Sequence, residues 1–332
     1  MKERPLDENT PVKAAVLHRL GEPPRFEDFP DPDPGPDEVK IRVKAASLKN
    51  IDKAMAGGSH YHSHSELPVV CGIDGVGILD DGTRVYCGGP RPPYGMMAEH
   101  TVVSRAWCLA IPDGVDDVTA AALPNPALSS WLPLVWRAQL KPGETVLILG
   151  ATGVAGKLAV QIAKHLGAGR VVAAGRSKQV LETLPDLGAD AIVTLDQPDR
   201  EVAAAFIREA RHKNFDIILD FLWGHPTEVL LEALTGHDLK AKSSRIRLVE
   251  IGEMAGPTLS LSAAALRSSG LEIYGSGGGS ISHTAIFDTF PHVWALAAGG
   301  TLRIDTEAVA LADVEHAWRR QDVPGRRIVI VP

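Results

Sequence analysis

The sequence predicts an α/β protein in which a β-rich region precedes a doubly wound parallel sheet. Two observations carry this prediction. Residues 13 to about 124 read as short strand-like runs separated by turns, whereas from about Lys141 apolar strand-like runs alternate with helical patterns. Such alternation is typical of parallel strands joined by crossover helices. The 332 residues are enough for two domains of about 150 residues each.

The charge balance argues against several classes of protein. The chain has 34 Lys and Arg residues against 41 Asp and Glu residues, a formal net charge of −7. A net acidic protein lacks the positive field that binds nucleic acid or an anionic membrane surface. No segment approaches the ~18 consecutive apolar residues of a membrane span, and the charged start lacks the apolar core of a secretory signal. We therefore expect a cytoplasmic protein with no membrane insertion and no nucleic-acid partner.

Cysteine usage agrees with a reducing compartment. The three cysteines, Cys71, Cys87 and Cys108, are odd in number and contain no CxxC pair. This usage predicts no disulfide framework. Because Cys71 lies in an apolar run, it is interpreted as an inert core residue and not as a reactive thiolate.

In the first region, Lys13–Leu17 and Glu38–Ala46 are predicted strands. Residues 39–43 of the second run alternate apolar and charged side chains, as a strand with one face in water does. Six prolines lie between the two runs. Because proline cannot donate a ladder hydrogen bond, we predict an extended surface connector there. Residues 1–12 are expected to form a loose arm.

In the second region, strand-like and helical segments alternate along the chain. The predicted strands are Thr145–Leu149, Arg170–Ala174, Ala191–Leu195, Phe215–Phe221 and Arg245–Ile251. The predicted helices are Val154–Leu166, a polar helix ended by Pro185, Glu201–Arg211, Phe287–Ala298 and Leu311–Arg319. A closing strand, Arg327–Val331, is expected to return to the first domain.

The most informative segment joins the first of these strands to its helix. Residues 145–157 read TVLILGATGVAGK, in which Ala151-x-Gly153-x-x-Gly156 is a dinucleotide-binding fingerprint with its first glycine replaced by alanine. Gly153 lets the backbone approach a pyrophosphate, Gly156 lets the helix pack closely on the strand, and the free N–H groups of the helix start hold the anion. The alternative is a tight strand–helix turn that binds no nucleotide. The predicted cofactor contacts in this turn are Gly150, Ala151, Thr152, Gly153, Val154, Ala155 and Gly156.

The end of the next strand indicates which dinucleotide is bound. An NAD site carries Asp or Glu about 20 residues past the glycines to accept the ribose hydroxyls. Here the strand ends in Gly175, Arg176, Ser177 and Lys178, with no carboxylate. A guanidinium fork and a hydroxyl suit a 2′-phosphate, so these four residues predict NADP(H). The alternative is a solvated arginine in a loop.

Four further segments carry a family resemblance. Residues 45–52 (AASLKNID) end in N-x-D, residues 68–77 (PVVCGIDGVG) form a glycine-rich strand, residues 128–131 read LSSW, and residues 140–150 (LKPGETVLILG) lead into the glycine turn. Together with that turn, they resemble the medium-chain dehydrogenase/reductase superfamily, specifically its zinc-free quinone oxidoreductase branch.

The resemblance implies a domain organisation and further site residues. It implies a GroES-like β-rich catalytic domain from residues 1–124 and 279–332, a Rossmann domain from residues 125–278, and a homodimer. It places Ser129 at the helix start beneath the nicotinamide, and Leu222, Ile251 and Gly252 along the cofactor. Asp220 is a candidate to line the same cleft or, equally, a carboxylate at a helix start. Arg326 and Arg327 are interpreted as solvated, and the alternative is contact with the phosphate of the adenine ribose.

The resemblance also bears on metal binding. Positions that match the catalytic zinc ligands of alcohol dehydrogenases in this superfamily hold Asn50, Ile73 and, approximately, Asn125. Isoleucine cannot ligate a metal and a neutral amide is a poor zinc ligand, so we predict no metal. An alternative zinc site could use three imidazoles with spacing of two, which would share one face of a strand. These are His60, His62 and His64, although the favoured interpretation of this segment is a polar loop that precedes Pro68.

The expected function is metal-independent hydride transfer from NADPH to a quinone, an activated alkene or a carbonyl acceptor. Asn50, Tyr61 and Ser129 are the candidate catalytic residues, because a developing oxyanion needs hydrogen-bond donors when no Lewis acid is present. The alternative is that Tyr61 is a surface residue without a role in the reaction. Two other functions stay open: a zinc-dependent alcohol dehydrogenase that uses the histidine loop, and a non-catalytic NADPH-binding regulatory protein.

Overall fold

A computed structural model describes residues 11–235, 245–321 and 324–332. Most of the predicted N-terminal arm therefore lies outside the described residues, although Val12 already belongs to a strand. In chain order the strands are β1 (Val12–Leu17), β2 (Arg25–Phe29), β3 (Glu38–Ser47), β4 (Val69–Val70), β5 (Asp74–Ile78), β6 (Arg84–Gly88), β7 (His100–Ser104), β8 (Cys108–Ala110), β9 (Thr145–Leu149), β10 (Arg170–Gly175), β11 (Ala191–Thr194), β12 (Ile217–Asp220), β13 (Arg245–Glu250), β14 (Gly270–Gly275), β15 (Thr306–Ala310) and β16 (Arg327–Val331).

The helices occupy the predicted places and several others. In chain order they are α1 (Asn50–Gly57), α2 (Asp117–Ala122), α3 (Pro124–Leu132), α4 (Val154–His165), α5 (Lys178–Leu181), α6 (Asp199–His212), α7 (Gly224–Thr235), α8 (Ala263–Ser268), α9 (His283–Ala298) and α10 (Val314–Arg319). No described helix combines the length and the apolar character that crossing a bilayer requires.

The chain forms two compact units. The first takes residues up to Pro124 together with Ile304–Pro332, and the second is Asn125–Arg303. From the sequence, the return to the first domain is expected at residue 279, whereas α9 belongs to the second unit. One cause is a side-chain clamp: the amide of Gln161 on α4 accepts from the backbone N–H of Arg303 at 2.8 Å and donates to its carbonyl oxygen at 3.0 Å.

The first unit is β-rich, as expected of a GroES-like domain. Its larger sheet has the order β15-β16-β3-β5-β6-β8, and β7 also pairs with β3. Residues 39, 41 and 43 of β3 are buried, while the charged residues between them are more exposed, which matches the predicted alternation. The closing strand β16 pairs antiparallel with β3 and parallel with β15, so the end of the chain completes this sheet.

The proline-rich connector is more ordered than the sequence predicts. Strand β2 occupies the stretch between Pro24 and Pro30 and pairs antiparallel with β1, with Val12 opposite Phe29. The small sheet has the order β2-β1-β4, so β2 lies at its edge. The prediction of an extended connector was wrong for these five residues, because the prolines flank the strand and do not interrupt its ladder.

The second unit contains the predicted parallel sheet. Its order is β11-β10-β9-β12-β13-β14, and every neighbouring pair is parallel. Strand β9 is buried along its whole length, which explains its continuous apolar run. From β9 the order proceeds outward to β10 on one side and to β12 on the other, so the crevice of a doubly wound sheet opens at the carboxyl end of β9. Edge strand β14 is not among the predicted elements.

We predict that Gln161→Ala destabilises the protein by about 1–3 kcal/mol. The side chain is almost fully buried, and the substitution leaves the Arg303 backbone groups without their partner. Urea unfolding of the full chain measures the change. The control is Gln179→Ala, a loss of the same side chain at an exposed position, for which we expect a change within about 0.5 kcal/mol. Equal effects of the two variants would contradict the clamp.

Candidate functional site

The turn after β9 is fixed by backbone hydrogen bonds to the neighbouring strand. The N–H groups of Gly150 and Ala151 both donate to the carbonyl oxygen of Ala174 on β10, each at 2.9 Å. Gly150 has a φ of 85°, a left-handed conformation that favours glycine. The chain therefore leaves β9 at the edge where the parallel strands end, and α4 begins immediately after Gly153.

The two later glycines of the fingerprint have different roles. A Cβ on Gly156 would lie 2.3 Å from the Gly150 carbonyl oxygen and 2.5 Å from the Ala151 Cα, so only glycine allows this approach of helix to strand. A Cβ on Gly153 would meet only the Gly150 oxygen, at 3.4 Å, and would otherwise project into open space. The first helical bond runs from the Lys157 N–H to the Gly153 oxygen at 2.9 Å. The preceding N–H groups of the helix start have no intrahelical acceptor and suit an anion.

Gly175, at the end of β10, is required for a reason that the sequence does not indicate. A Cβ there would lie 2.5 Å from Cγ2 and 2.8 Å from Oγ1 of Thr152. The Thr152 side chain thus already fills the space that the missing side chain of Gly175 leaves. Gly175 allows the β9–α4 turn and the end of β10 to pack together.

Beyond Gly175, two cations lie near the same strand end. Arg176 and Lys178 are exposed, and neither has an ion-pair partner among the described residues. The Ser177 hydroxyl accepts from the Val180 N–H at 3.4 Å and so caps α5. This short helix begins at Lys178, so its first turn adds partial positive charge at the same place. The arrangement suits a bound phosphate.

On the other side of β9, the residues after β12 pack on the glycine turn. The buried Asp220 carboxylate accepts from the N–H groups of Leu222 and Trp223, each at 2.9 Å, and from the Thr227 hydroxyl at 2.6 Å. Burial raises the pKa of Asp220, and these hydrogen bonds oppose the rise. Asp220 therefore shapes the start of α7, which is the second of its two predicted roles. A Cβ on Gly150 would lie 3.2 Å from Cδ2 of Leu222, so that side chain adjoins the turn.

Backbone after β13 approaches the same place. The N–H groups of Ile251 and Gly252 donate to the Asp220 carbonyl oxygen at 2.8 and 3.3 Å. The residues predicted to contact a cofactor thus lie at the ends of four adjacent strands, β10, β9, β12 and β13. Helix α3 contacts α4 nearby, because the buried Ser130 hydroxyl lies 3.0 Å from the Ala155 carbonyl oxygen. Ser129, one residue earlier, is half-buried and donates to the Asn125 oxygen at 2.8 Å.

The other two candidate catalytic residues belong to the first unit. Asn50 is exposed and is the first residue of α1. Tyr61 is 72% exposed, and its ring packs against those of His60 and His62, with centroid distances of 4.0 and 4.6 Å. The geometry gives Tyr61 no buried polar contact, so its proposed role stays a prediction.

The histidine loop is a turn and not a strand. The Ser63 N–H donates to the His60 carbonyl oxygen at 2.9 Å, and the His62 N–H donates to the His60 Nδ1 at 3.1 Å. The common strand face that the zinc alternative needs is therefore not formed. Within the described part of the chain, no three His, Cys, Asp or Glu side chains are grouped as metal ligands.

A buried charge network that the sequence patterns did not predict lies beside Asn50. The Lys49 side chain is only 1% exposed. Its Nζ lies 2.9 Å from Oδ1 of Asp74 and 3.3 Å from Oδ2 of Asp52, and it donates to the Ser47 carbonyl oxygen at 2.9 Å. One ammonium group thus ties β3, α1 and β5 together.

Further groups complete this network. The Asp52 carboxylate accepts from the N–H groups of Lys49, at 2.9 Å, and Ile73, at 3.2 Å. Burial raises the pKa of Asp74, and the Lys49 charge opposes this rise. The buried Tyr86 hydroxyl also bonds to Asp74 and opposes it further.

Arg327 on β16 corrects another sequence interpretation. It is half-buried and not freely solvated: it donates to the Leu48 carbonyl oxygen at 2.9 Å, and the charges of Asp52 and Asp74 oppose the lowering of its pKa by desolvation. Arg326, by contrast, pairs with Glu307 at the surface. The signal that could have indicated the network is the spacing of Lys49 and Asp52, three residues apart at a helix start. Nothing local places Asp74 or Arg327 beside them.

Comparisons with known proteins agree with this architecture. Residues 154–298 match the family described as zinc-binding dehydrogenase. A protein of Emericella nidulans described as a probable NADPH-dependent quinone reductase is 27% identical, over 97% of this chain and 100% of its own length. The NADPH-dependent alkenal/one oxidoreductase of Arabidopsis thaliana chloroplasts is 33% identical, over 46% of this chain and 44% of its own.

A solved structure extends the likeness to the whole fold. The quinone oxidoreductase of Thermus thermophilus, whose structure was also solved with NADPH, is 29% identical with a TM-score of 0.78. The match covers 96% of this chain and 100% of that one. Both units of the fold are therefore shared with this structure.

We predict that Lys49→Met costs about 3–5 kcal/mol of folding free energy, because it leaves two carboxylates buried without their cation. Loss of that cation raises the pKa of Asp74 further. A carboxyl group whose pKa is higher in the folded than in the unfolded state makes the folded protein less stable as pH rises. The loss of folding free energy caused by Lys49→Met will therefore be larger at about pH 8 than at about pH 5.

Urea titrations at both pH values measure this deficit. Lys44→Met, a loss of a half-buried lysine on the same strand β3, is the control and is expected to cost much less. A deficit for Lys49→Met that does not change with pH would contradict the role assigned to Asp74.

Proposed function

Since this chain belongs to the medium-chain dehydrogenase/reductase superfamily, in its quinone oxidoreductase branch, we propose that it is an NADPH-dependent oxidoreductase that reduces a quinone or an activated alkene or carbonyl compound. One observation carries the proposal. The β9–α4 turn leaves open space in front of Gly153, and Arg176 and Lys178 are exposed at the end of the adjacent strand. The named activities of the fungal and plant relatives support the same reaction class.

The proposed cofactor contacts follow from the shape of the turn. The N–H groups at the start of α4, from Val154 to Gly156, bind the pyrophosphate, and the missing side chain of Gly153 lets it come close. Arg176 and Lys178 bind the 2′-phosphate through charge-assisted hydrogen bonds. Leu222, Ile251 and Gly252 provide the wall along the nicotinamide end. When bound, the cofactor supplies a hydride from nicotinamide C4.

The chain's own contribution to the reduction is hydrogen bonding to the acceptor. We propose that Asn50, Tyr61 and Ser129 supply donors to the acceptor oxygen as it gains negative charge. The Ser129 hydroxyl would have to turn away from the Asn125 oxygen to do so. Lys49 is a positioning residue in this proposal, since it holds Asp52 and hence the first turn of α1, where Asn50 lies.

Neutral donors favour some acceptors over others. Quinones and alkenes conjugated to a carbonyl are already electron-poor and accept a hydride with help from hydrogen bonds alone. A simple ketone gains more from a Lewis acid. Because Ile73 and Asn50 occupy the positions that match the zinc ligands of related alcohol dehydrogenases, we propose metal-independent reduction of the electron-poor class.

The proposal includes an assembly and a location. We propose a homodimer formed through edge strand β14 of the parallel sheet, whose outer side has no strand partner among the described residues. Ile273, on this strand, is 38% exposed and suits such a contact. The expected location is the cytoplasm.

NADPH oxidation by the purified protein tests the proposed reaction, with a panel of quinones, enones, aldehydes and ketones and with and without a chelator. Turnover on a quinone or an enone that is unchanged by the chelator supports the proposal. Tight NADPH binding without turnover on any acceptor would instead indicate a binding protein. Stoichiometric zinc whose removal abolishes turnover would contradict the metal-independent mechanism.

We predict that Arg176→Ala weakens NADPH binding about 10- to 100-fold and leaves NADH binding nearly unchanged. The reason is that only NADPH carries the phosphate to which the guanidinium group binds. Cofactor fluorescence titrations measure both constants. Arg200→Ala, at an exposed position on α6, is the matched control and is expected to change neither. Equal losses for the two cofactors would mean that Arg176 does not contact the 2′-phosphate.

We predict that Gly153→Val abolishes binding of NADPH and NADH while the protein stays folded. The first Cβ meets no atom closer than 3.4 Å, so the fold can accommodate it, but the branched side chain fills the space that the pyrophosphate needs. Circular dichroism and unfolding curves establish that the variant is folded, and calorimetry measures binding. Retained affinity in a folded variant would refute the assignment of this turn.

A further inference from the structure

Two cysteines face each other across the edge of the larger sheet in the first unit. Cys87 on β6 and Cys108 on β8 are direct partners in the antiparallel pairing, and β8 is the edge strand. In the same register, the Ile111 N–H donates to the Arg84 carbonyl oxygen at 3.2 Å, which makes that pair a hydrogen-bonded one. Because hydrogen-bonded and non-hydrogen-bonded pairs alternate, the cysteines occupy a non-hydrogen-bonded position.

This position brings the thiols close together. Cα atoms of non-hydrogen-bonded partners are about 4.5 Å apart. That spacing lies within the range of about 4.4–6.8 Å seen for disulfides. Both side chains pack against the same hydrophobic core, and the Cys108 thiol donates to the Ser104 carbonyl oxygen at 3.8 Å. The backbone need not rearrange extensively for the sulfurs to bond.

The two thiols differ in exposure and in pKa. Cys108 is half-buried, whereas Cys87 is fully buried and lies 4.0 Å from the sulfur of Met96. The hydrogen bond from Cys87 lowers the pKa of Cys108, with a further contribution from the Arg105 charge. The same hydrogen bond and burial raise the pKa of Cys87. Cys108 is thus suited to attack an oxidant and Cys87 to resolve the product.

We propose that Cys87 and Cys108 form a redox-sensitive dithiol that a hydroperoxide converts into an intramolecular disulfide. In the first step the Cys108 thiolate attacks a peroxide oxygen, which gives the sulfenic acid and, from hydrogen peroxide, hydroxide. In the second step the Cys87 sulfur displaces the sulfenic hydroxyl group, which leaves as water. Two thiols and one hydrogen peroxide give one disulfide and two waters, so two electrons pass to the peroxide.

The third cysteine supplies an internal control. Cys71 is buried in the core, and burial raises the pKa of its thiol. It has no cysteine partner in strand register. We expect it to stay reduced under conditions that oxidise the other two.

The test is peroxide treatment of the full chain, followed by blocking of free thiols in denaturant, trypsin digestion and mass spectrometry. Cleavage after Arg84 and Arg105 places the three cysteines in separate peptides. The expected result is a mass loss of two hydrogens, a linked Cys87–Cys108 peptide pair that a thiol reductant separates, and one remaining free thiol at Cys71. Three free thiols after treatment, oxidation of Cys108 to a sulfinic acid without linkage, or linkage through Cys71 would overturn the proposal.

Variants test the order of the two steps. In Cys87→Ser, the sulfenic acid on Cys108 should persist and be captured by dimedone, whereas Cys108→Ser should give little labelling of Cys87. The reverse pattern would overturn the assignment of Cys108 as the attacking thiol. Cys71→Ala is the matched control and should form the same disulfide. If a variant does not fold, the peptide map of the unmodified protein still decides whether the disulfide forms.

Discussion

The close packing of α4 on β9 is the constraint on which the second unit depends. A side chain at Gly156 would place its Cβ 2.3 Å from the Gly150 oxygen, so helix and strand approach as only glycine permits. The turn between strand and helix is held by two hydrogen bonds, which the N–H groups of Gly150 and Ala151 donate to the Ala174 carbonyl oxygen. Because the backbone is held in this way, Gly153 leaves open space in front of the start of α4, at the point where the sheet order divides. The proposed cofactor site therefore depends on the close packing of α4 on β9.

In the first unit, a buried charge network has the comparable role. Lys49 joins three elements through a single ammonium group, and Arg327 brings a second positive charge from the far end of the chain. The charges of two carboxylates and two cations balance, which makes burial of Lys49, Asp52 and Asp74 tolerable. Removal of one partner leaves the others uncompensated. The network therefore links the position of α1, which begins at Asn50, to the pairing of β16 with β3.

Several sequence predictions concern local patterns, and the structure confirms them. The parallel sheet, the glycine turn, the alternation along β3 and the return of the closing strand follow from short-range periodicity and turn chemistry. The predictions that were wrong concern partners distant in sequence. Strand β2 forms in a proline-rich segment because β1 pairs with it, and Arg327 is half-buried against the end of β3 and not solvated. The roles of Asn50, Tyr61 and Ser129 stay predictions.

The amino-acid sequence alone determined the fold class and the kind of ligand, because a strand, a glycine turn and a helix are encoded within a dozen consecutive residues. The spacing of the glycines restricts the backbone conformation of this segment wherever it lies in the fold. The tertiary structure alone decided which charges are buried together and which thiols meet. Lys49 and Asp74, or Cys87 and Cys108, become neighbours only when strands pair. Burial and pKa depend on that pairing, since they measure the surroundings of a group and not its place in the chain.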